Sequence, residues 1–219
     1  MMIGREEAST APIHLQLVEA VPKASREAWA EVTRRLLVLC ADHDLDPTTL
    51  TARTLANTGV SPYRVLVAAM TTGSGRRGVQ VRQRAAAKLL AEVERANDPT
   101  APIRARLYTG EGVPGFGPYI HEGPDSRVEA ILSAYERFLP NDPDVARFLE
   151  IAAMVREETG LKPQFILALS VFNRKLARIH RDLGLLRLGR ITGWIAHALE
   201  QSTLEVVRPR THYSGKLPE

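Results

Sequence analysis

Two arginines near the C-terminal end bracket an amphipathic stretch, and arginine is the side chain best built to hold a carboxylate. Arg190 opens and Arg208 nearly closes the segment GRITGWIAHALEQSTLEVVRPR. A guanidinium on an ordered element presents a planar fork of N–H groups, which gives a carboxylate two charge-assisted hydrogen bonds at once. A second group, Arg76, Arg77, Arg82 and Arg84, lies in and after GSGRRG, where Gly73, Gly75 and Gly78 surround the first two arginines. The glycine spacing is faintly that of a phosphate-cradling loop, but no strand signal precedes it and no Lys-Ser/Thr pair follows. No group of His, Cys, Asp or Glu has metal-ligand spacing, so no metal is expected. The single cysteine, Cys40, excludes an internal disulfide and reads as a buried thiol. Neither a Ser-His-Asp arrangement nor a nucleophile elbow is present. Anion holding is the chemistry these residue types offer.

The elements that must position them read as helices. Ile191, Trp194, Ile195, Ala198 and Leu199 recur at helical spacing, giving a tail helix with an apolar face. Leu204 to Val207 is a short β-prone stretch. Trp29, Val32, Leu36, Leu37 and Cys40 predict a helix to about residue 41, with Ser25 as N-cap. Pro47 and Pro62 mark the first turns of helices over about 48–58 and 61–72. A long helix over 79–97 follows, its polar face carrying Arg82, Gln83, Lys88 and Glu92. Residues 98–124 are rich in proline and glycine and read as loop, and Asp125 caps the next helix. A helix after Pro143 stops at Gly160, and an apolar helix from Pro163 runs to about Arg181. Residues 1–24 read as a loose N-terminal arm. The expected fold is all-α, with no internal repeat.

Composition agrees. Of 219 residues, 44% are hydrophobic and 25% charged, enough for a sizeable core and against wholesale disorder. The net charge of +4 is scattered among acidic residues, and no aromatic side chains interleave the arginine patch, so nucleic acid is not expected as a partner. A polyanionic small molecule suits the balance. No apolar run is long enough to span a membrane, and the N-terminus lacks the order of a signal peptide, so a cytoplasmic protein is expected.

At the tail, GR-x-x-GWIAH followed by RPR-x-x-Y-x-G resembles the C-terminal end of citrate synthases. ADHDLDPTTLTARTLANTGVSPY is similar to the family's stretch around H-E-L-N-x-S-T-F, and PGFGPYIHEGPDSR to its P-G-F-G-H-P-x-Y-x-x-x-D-P-R. The likeness runs from about residue 25 to 219 and leaves the N-terminal third of a full-length citrate synthase without a counterpart. It implies a large-domain-like helical part over 25–75 and 171–219, and a small-domain-like helical part over 76–170. It also implies that His43, Arg127, Arg190 and Arg208 hold a di- or tricarboxylate. Arg208 would reach the neighbouring subunit's site, which implies a homodimer or a heterodimer with a homologue. Gly115, Phe116 and Gly117 resemble the loop that receives the adenine of coenzyme A, so a coenzyme A thioester is a possible ligand, though no cofactor is firmly implied.

The departures fall on the family's catalytic positions. Its H-G-G-A histidine matches Arg76, its G-F-G-H histidine matches Pro118, and the aspartate of P-N-V-D-F matches Ile166 in PQFIL. Arginine stays protonated, proline has no donor, and isoleucine accepts no proton. His121 is the nearest substitute acid/base, with Glu111 and Glu122 the nearest acidic replacements; Arg76 joins the clamp as a further cation. Three readings follow: a divergent enzyme or metabolite-binding pseudoenzyme of this family acting on a carboxylate or acyl-CoA-type ligand, a non-catalytic subunit of a larger homologue, or an active small citrate synthase.

Overall fold

The computed structural model describes residues 10–19, 21–75, 79–117, 125–177 and 185–206. Among these residues the chain forms ten helices and no strand, so the expected all-α fold holds. They are α1 Ile13–Leu17, α2 Lys23–Ala41, α3 Pro47–Ala56, α4 Pro62–Gly73, α5 Val79–Arg95, α6 Ala101–Tyr108, α7 Ser126–Phe138, α8 Pro143–Thr159, α9 Phe165–Ala177 and α10 Leu185–Ser202.

Local signals explain most boundaries. Pro47 and Pro62 occupy first turns, where a missing N–H removes no helical hydrogen bond. Asp125 and Asp142 cap α7 and α8 with their side chains, and Gly160, at φ 73°, ends α8 in the left-handed conformation. Four expectations need correction. Residues 13–19 are not a loose arm, because α1 forms there and Leu17, Val18 and, beyond them, Val21 are buried. α2 begins at Lys23 behind Pro22, and Ser25 is inside it, its hydroxyl donating to the Pro22 carbonyl at 3.3 Å. The stretch 98–124 contains α6, whose Pro102 starts a helix instead of breaking one. Residues 204–206 form no strand, and Leu204 and Val206 are exposed.

The main core joins α2, α5, α7, α8 and α9. Trp29 packs on Phe172 with ring centroids 5.8 Å apart, and Tyr135 stands edge-on to Phe148 at 6.4 Å. The buried Tyr135 hydroxyl donates to the Ala168 carbonyl at 2.8 Å, satisfying the only polar atom that ring carries inward. A second, thinner cluster sits between α3, α4 and α10, built on Ala52, Ala56, Val65, Ala69, Trp194 and Ala198.

α10 ties the two clusters together by crossing α2 at close range. Gly189 and Gly193, one turn apart, make the approach possible. A Cβ at Gly189 would sit 2.5 Å from Cys40 Cβ, and one at Gly193 would overlap the Ala41 carbonyl. The G-R-x-x-G spacing is therefore a packing device. It brings the C-terminal end of α2, and the loop that follows it, against the start of α10.

Candidate functional site

That loop, residues 42–46, carries His43. Asp44 holds a left-handed conformation at φ 58°, tolerated because its short carboxylate accepts from the Leu45 N–H at 2.8 Å. Asp46 caps α3, accepting from the Thr49 N–H and the Thr48 hydroxyl, both at 2.7 Å. Thr48 in turn accepts from Trp194 Nε1 at 2.9 Å. The loop is thus pinned between α3 and α10, and His43 is 92% buried as a result, with 8% exposure.

Arg190 is part of that pinning. It is only 3% exposed; Nη1 donates to the Ala41 carbonyl at 2.5 Å, and Nη2 donates to the Thr49 hydroxyl. Asp46 and Asp42 stand 3.7 and 3.9 Å away, and the guanidinium lies 5.8 Å from the centre of the Trp194 ring. Its Nε is buried without an acceptor among the described residues. Burial pushes the Arg190 pKa down, and the two aspartates push it back up. With both terminal nitrogens committed to its own chain, Arg190 acts here as a latch between α2, α3 and α10.

Arg127 lies elsewhere, at the start of α7. Its Nε and Nη2 chelate the two Asp125 oxygens at 2.9 and 2.7 Å, and its Nη1 meets His43 Nδ1 at 2.5 Å. The guanidinium also lies 4.7 Å from the centre of the Phe165 ring. Because an arginine has only donors, Nδ1 must be the acceptor, so the neutral ring carries its proton on Nε2. The His43 pKa falls from 6.5 to about 4, first because the ring is buried and then because Arg127 faces it. Arg190 pushes the same way and Asp46 and Asp125 oppose, so His43 senses both arginines. The Asp125 carboxyl is held below its ordinary value, its hydrogen bonds and ion pair with Arg127 outweighing burial.

These groups line a small, partly open hollow. His43, Asp125 and Arg127 supply its connected polar cluster, and Arg82 enters from α5. Phe165, Ile166 and Leu186 form an apolar wall, with Gln164 beside it. The hollow lies at the N-terminal end of α9, whose partial positive charge adds to the attraction for an anion.

Of the residues singled out from sequence, His43, Arg127 and Ile166 come together here; Arg190 does not line the hollow. Gly115 and Gly117, at φ 85° and 91°, shape a loop stitched to residues 162–164. The Gly115 carbonyl accepts from the Gln164 N–H at 2.7 Å, and Gln164 Nε2 donates to the carbonyls of Phe116 and Gly117 at 3.3 and 3.1 Å. Arg76, Pro118, His121, Glu122 and Arg208 lie outside the described residues. The sequence placed Arg82 in an arginine patch and on a polar helix face without bringing it to this site, and marked Asp125 only as a cap. The signal for Asp125 was its place two residues before an arginine with an anion-holding role. No group of three His, Cys, Asp or Glu side chains able to hold a metal ion occurs among the described residues. No helix among them is long and apolar enough to cross a membrane.

Comparison with known proteins gives this arrangement a family. Residues 3–210 match the family described as citrate synthase, C-terminal domain. A citrate synthase of Haloferax volcanii is 30% identical over 199 residues, covering 87% of this chain and 52% of the relative. Citrate synthase 2 of Bacillus subtilis is 28% identical over 199 residues, covering 84% and 51%. The chain spans about half the length of the curated relatives it matches. Among solved structures, citryl-CoA lyase from Hydrogenobacter thermophilus superposes with a TM-score of 0.72 over 94% of this chain and 88% of that one, at 19% identity, a likeness of fold. With a match over nearly its whole length, the chain belongs to the citrate synthase family.

Proposed function

We propose that this chain holds a carboxylate or acyl-CoA-type ligand in the His43–Arg127 hollow and has lost the proton-transfer chemistry of citrate synthesis. The observation that carries the reading is that one hollow takes in His43 and Arg127, matching the family's carboxylate holders, together with Ile166, matching its proton-abstracting aspartate. Isoleucine cannot act as a base. Among the described residues, the two lining groups that could are both turned to Arg127: His43 Nδ1 accepts from it, and so do both oxygens of Asp125. Each positioned acid or base lost costs about 10²–10⁴-fold in rate. Arg76 and Pro118, at the positions matching the two histidines, act in the same direction. In this reading residues 25–75 and 171–219 form the large-domain-like part and 76–170 the small one. His121 is the substitute acid/base of a divergent transferase or lyase, Arg76, Arg190 and Arg208 add to the anion field, and Gly115 to Gly117 receive the coenzyme.

The test is to mix the purified chain with acetyl-CoA and oxaloacetate, and separately with citryl-CoA, and to follow free thiol. Cys40 does not interfere, being fully buried with its thiol pushed up to about 12 by desolvation. No thiol release above the uncatalysed rate is expected from the first mixture. Turnover at ordinary enzyme rates of about 1–10³ s⁻¹ would overturn the reading.

A second reading, a non-catalytic subunit of a larger homologue or of a homodimer, is favoured by the outward face of α4. Tyr63, Val67 and Met70 recur there at helical spacing with exposures of 82%, 66% and 41%. Light scattering of wild type and Val67→Glu decides it. A dimer split by the substitution supports pairing through this face, and a monomer that captures no homologue removes it.

A further inference from the structure

Arg82 and Arg127 come from different elements, α5 and the start of α7, and line the same hollow. Arg127 shares its charge within its own cluster. Its Nε and Nη2 take both Asp125 oxygens, and its Nη1 meets the neutral His43 ring. Gln164 also lines the hollow, but its amide nitrogen is given to the carbonyls of Phe116 and Gly117. Among the described residues, the lining thus sets two cations, Arg82 and Arg127, against one anion, Asp125. It is cationic as a whole, and Arg82 makes it so. Arg190, the other carboxylate holder that the resemblance implies among the described residues, does not line the hollow; its terminal nitrogens go to the Ala41 carbonyl and the Thr49 hydroxyl. Arg82 lies outside the motifs that carry the family likeness.

Resting on the carboxylate reading above, we infer that Arg82 is a ligand-binding residue of this hollow, and that a short dicarboxylate bridges Arg82 and the Arg127–His43 cluster. Arg82 then does the work that the resemblance assigns to Arg190, which serves here as a latch. A second guanidinium adds charge-assisted hydrogen bonds that a ligand with one anionic group cannot use in full. The cluster alone favours an anion weakly, because Asp125 offsets the charge of Arg127 and repels what approaches it. Arg82 therefore sets the preference for two anionic groups over one. The methylene spacer of such a ligand suits the apolar wall of Phe165, Ile166 and Leu186.

The test is calorimetric titration of the full chain with succinate and with butanoate, repeated with Arg82→Gln and Arg82→Lys. Wild type is expected to bind succinate about tenfold tighter than butanoate or better, the worth of a hydrogen-bonded charge. Arg82→Gln is expected to bring that ratio below about threefold, and Arg82→Lys, which keeps the charge, to retain most of it. A merely structural role for Arg82 would weaken both ligands alike and leave the ratio unmoved. An unmoved ratio in Arg82→Gln, or no preference for succinate in wild type, overturns the inference and leaves the carboxylate site standing. Binding of neither ligand to wild type at millimolar concentration overturns the carboxylate reading itself. The wild-type ratio decides the preference even if a variant fails to fold.

Discussion

Asp125 and His43 meet at one guanidinium from opposite sides. Arg127 gives its Nε–Nη2 edge to the carboxylate at 2.9 and 2.7 Å and its Nη1 to the imidazole at 2.5 Å. Burial first, and then the facing cation, keeps His43 neutral, and the same cation holds the Asp125 carboxyl below its ordinary value against burial. Arg127 faces both groups as a cation that never gives up its proton.

Stability should therefore depend on pH through His43. Its folded pKa, about 4, lies below the ordinary value of 6.5. Between those values the unfolded chain binds a proton that the folded chain does not, so stability is full above about pH 7 and falls as the pH drops toward 4. Roughly 2 kcal/mol should be lost between pH 7 and 5 from this group. Urea unfolding of wild type and His43→Gln at the two pH values checks it; the loss should shrink by that amount in the variant.

Arg190→Ala should act on folding first. Removing a buried charge that holds the Ala41 carbonyl, Thr49 and two aspartates costs about 3 kcal/mol or more. For a chain of this size that is a fall of roughly 6–12 °C in Tm. Arg127→Ala, at a residue with 22% side-chain exposure, should cost less stability and more ligand affinity. Calorimetric melting of the two variants, beside carboxylate titrations of each, separates latch from ligand holder.

Gly193→Ala should be worse tolerated than its size suggests. The added methyl would overlap the Ala41 carbonyl, a backbone group that cannot rotate away, so α10 must lift off α2. A loss above about 3 kcal/mol is expected, at the upper end for overpacking. Gly160→Ala meets no atom within 4 Å, so it bears only the strain of its positive φ, about 1–2 kcal/mol. Chemical denaturation of the two variants compares them directly.

Much of this was legible in the sequence because it rests on local signals. The stripe of Trp29, Val32 and Leu36, the prolines at 47 and 62, and the Asp125 cap each fix an element without knowledge of its neighbours. The family likeness likewise marked His43, Arg127 and Ile166, which line one hollow. What the sequence hid depends on distance in space. Pro102 reads as a breaker until its position in a first turn is known. Arg82 belongs to an arginine patch by pattern and lines the hollow only because α5 packs on α9. Arg190 carries the family's motif, yet its direction follows from the glycine contact that sets α10 against the 42–46 loop. Asp125 looks complete as a cap, and its second hydrogen-bonding partner appears only with the side chains in place.

The most direct test of the central claim is the nitrogen-15 spectrum of the histidine rings, recorded with and without carboxylate at pH 7. His43 should appear as the neutral Nε2–H tautomer, and millimolar succinate or citrate should shift its ring resonances in wild type but not in Arg127→Ala. A His43 signal that no carboxylate moves, in a protein that remains folded, would contradict a ligand site at this pair.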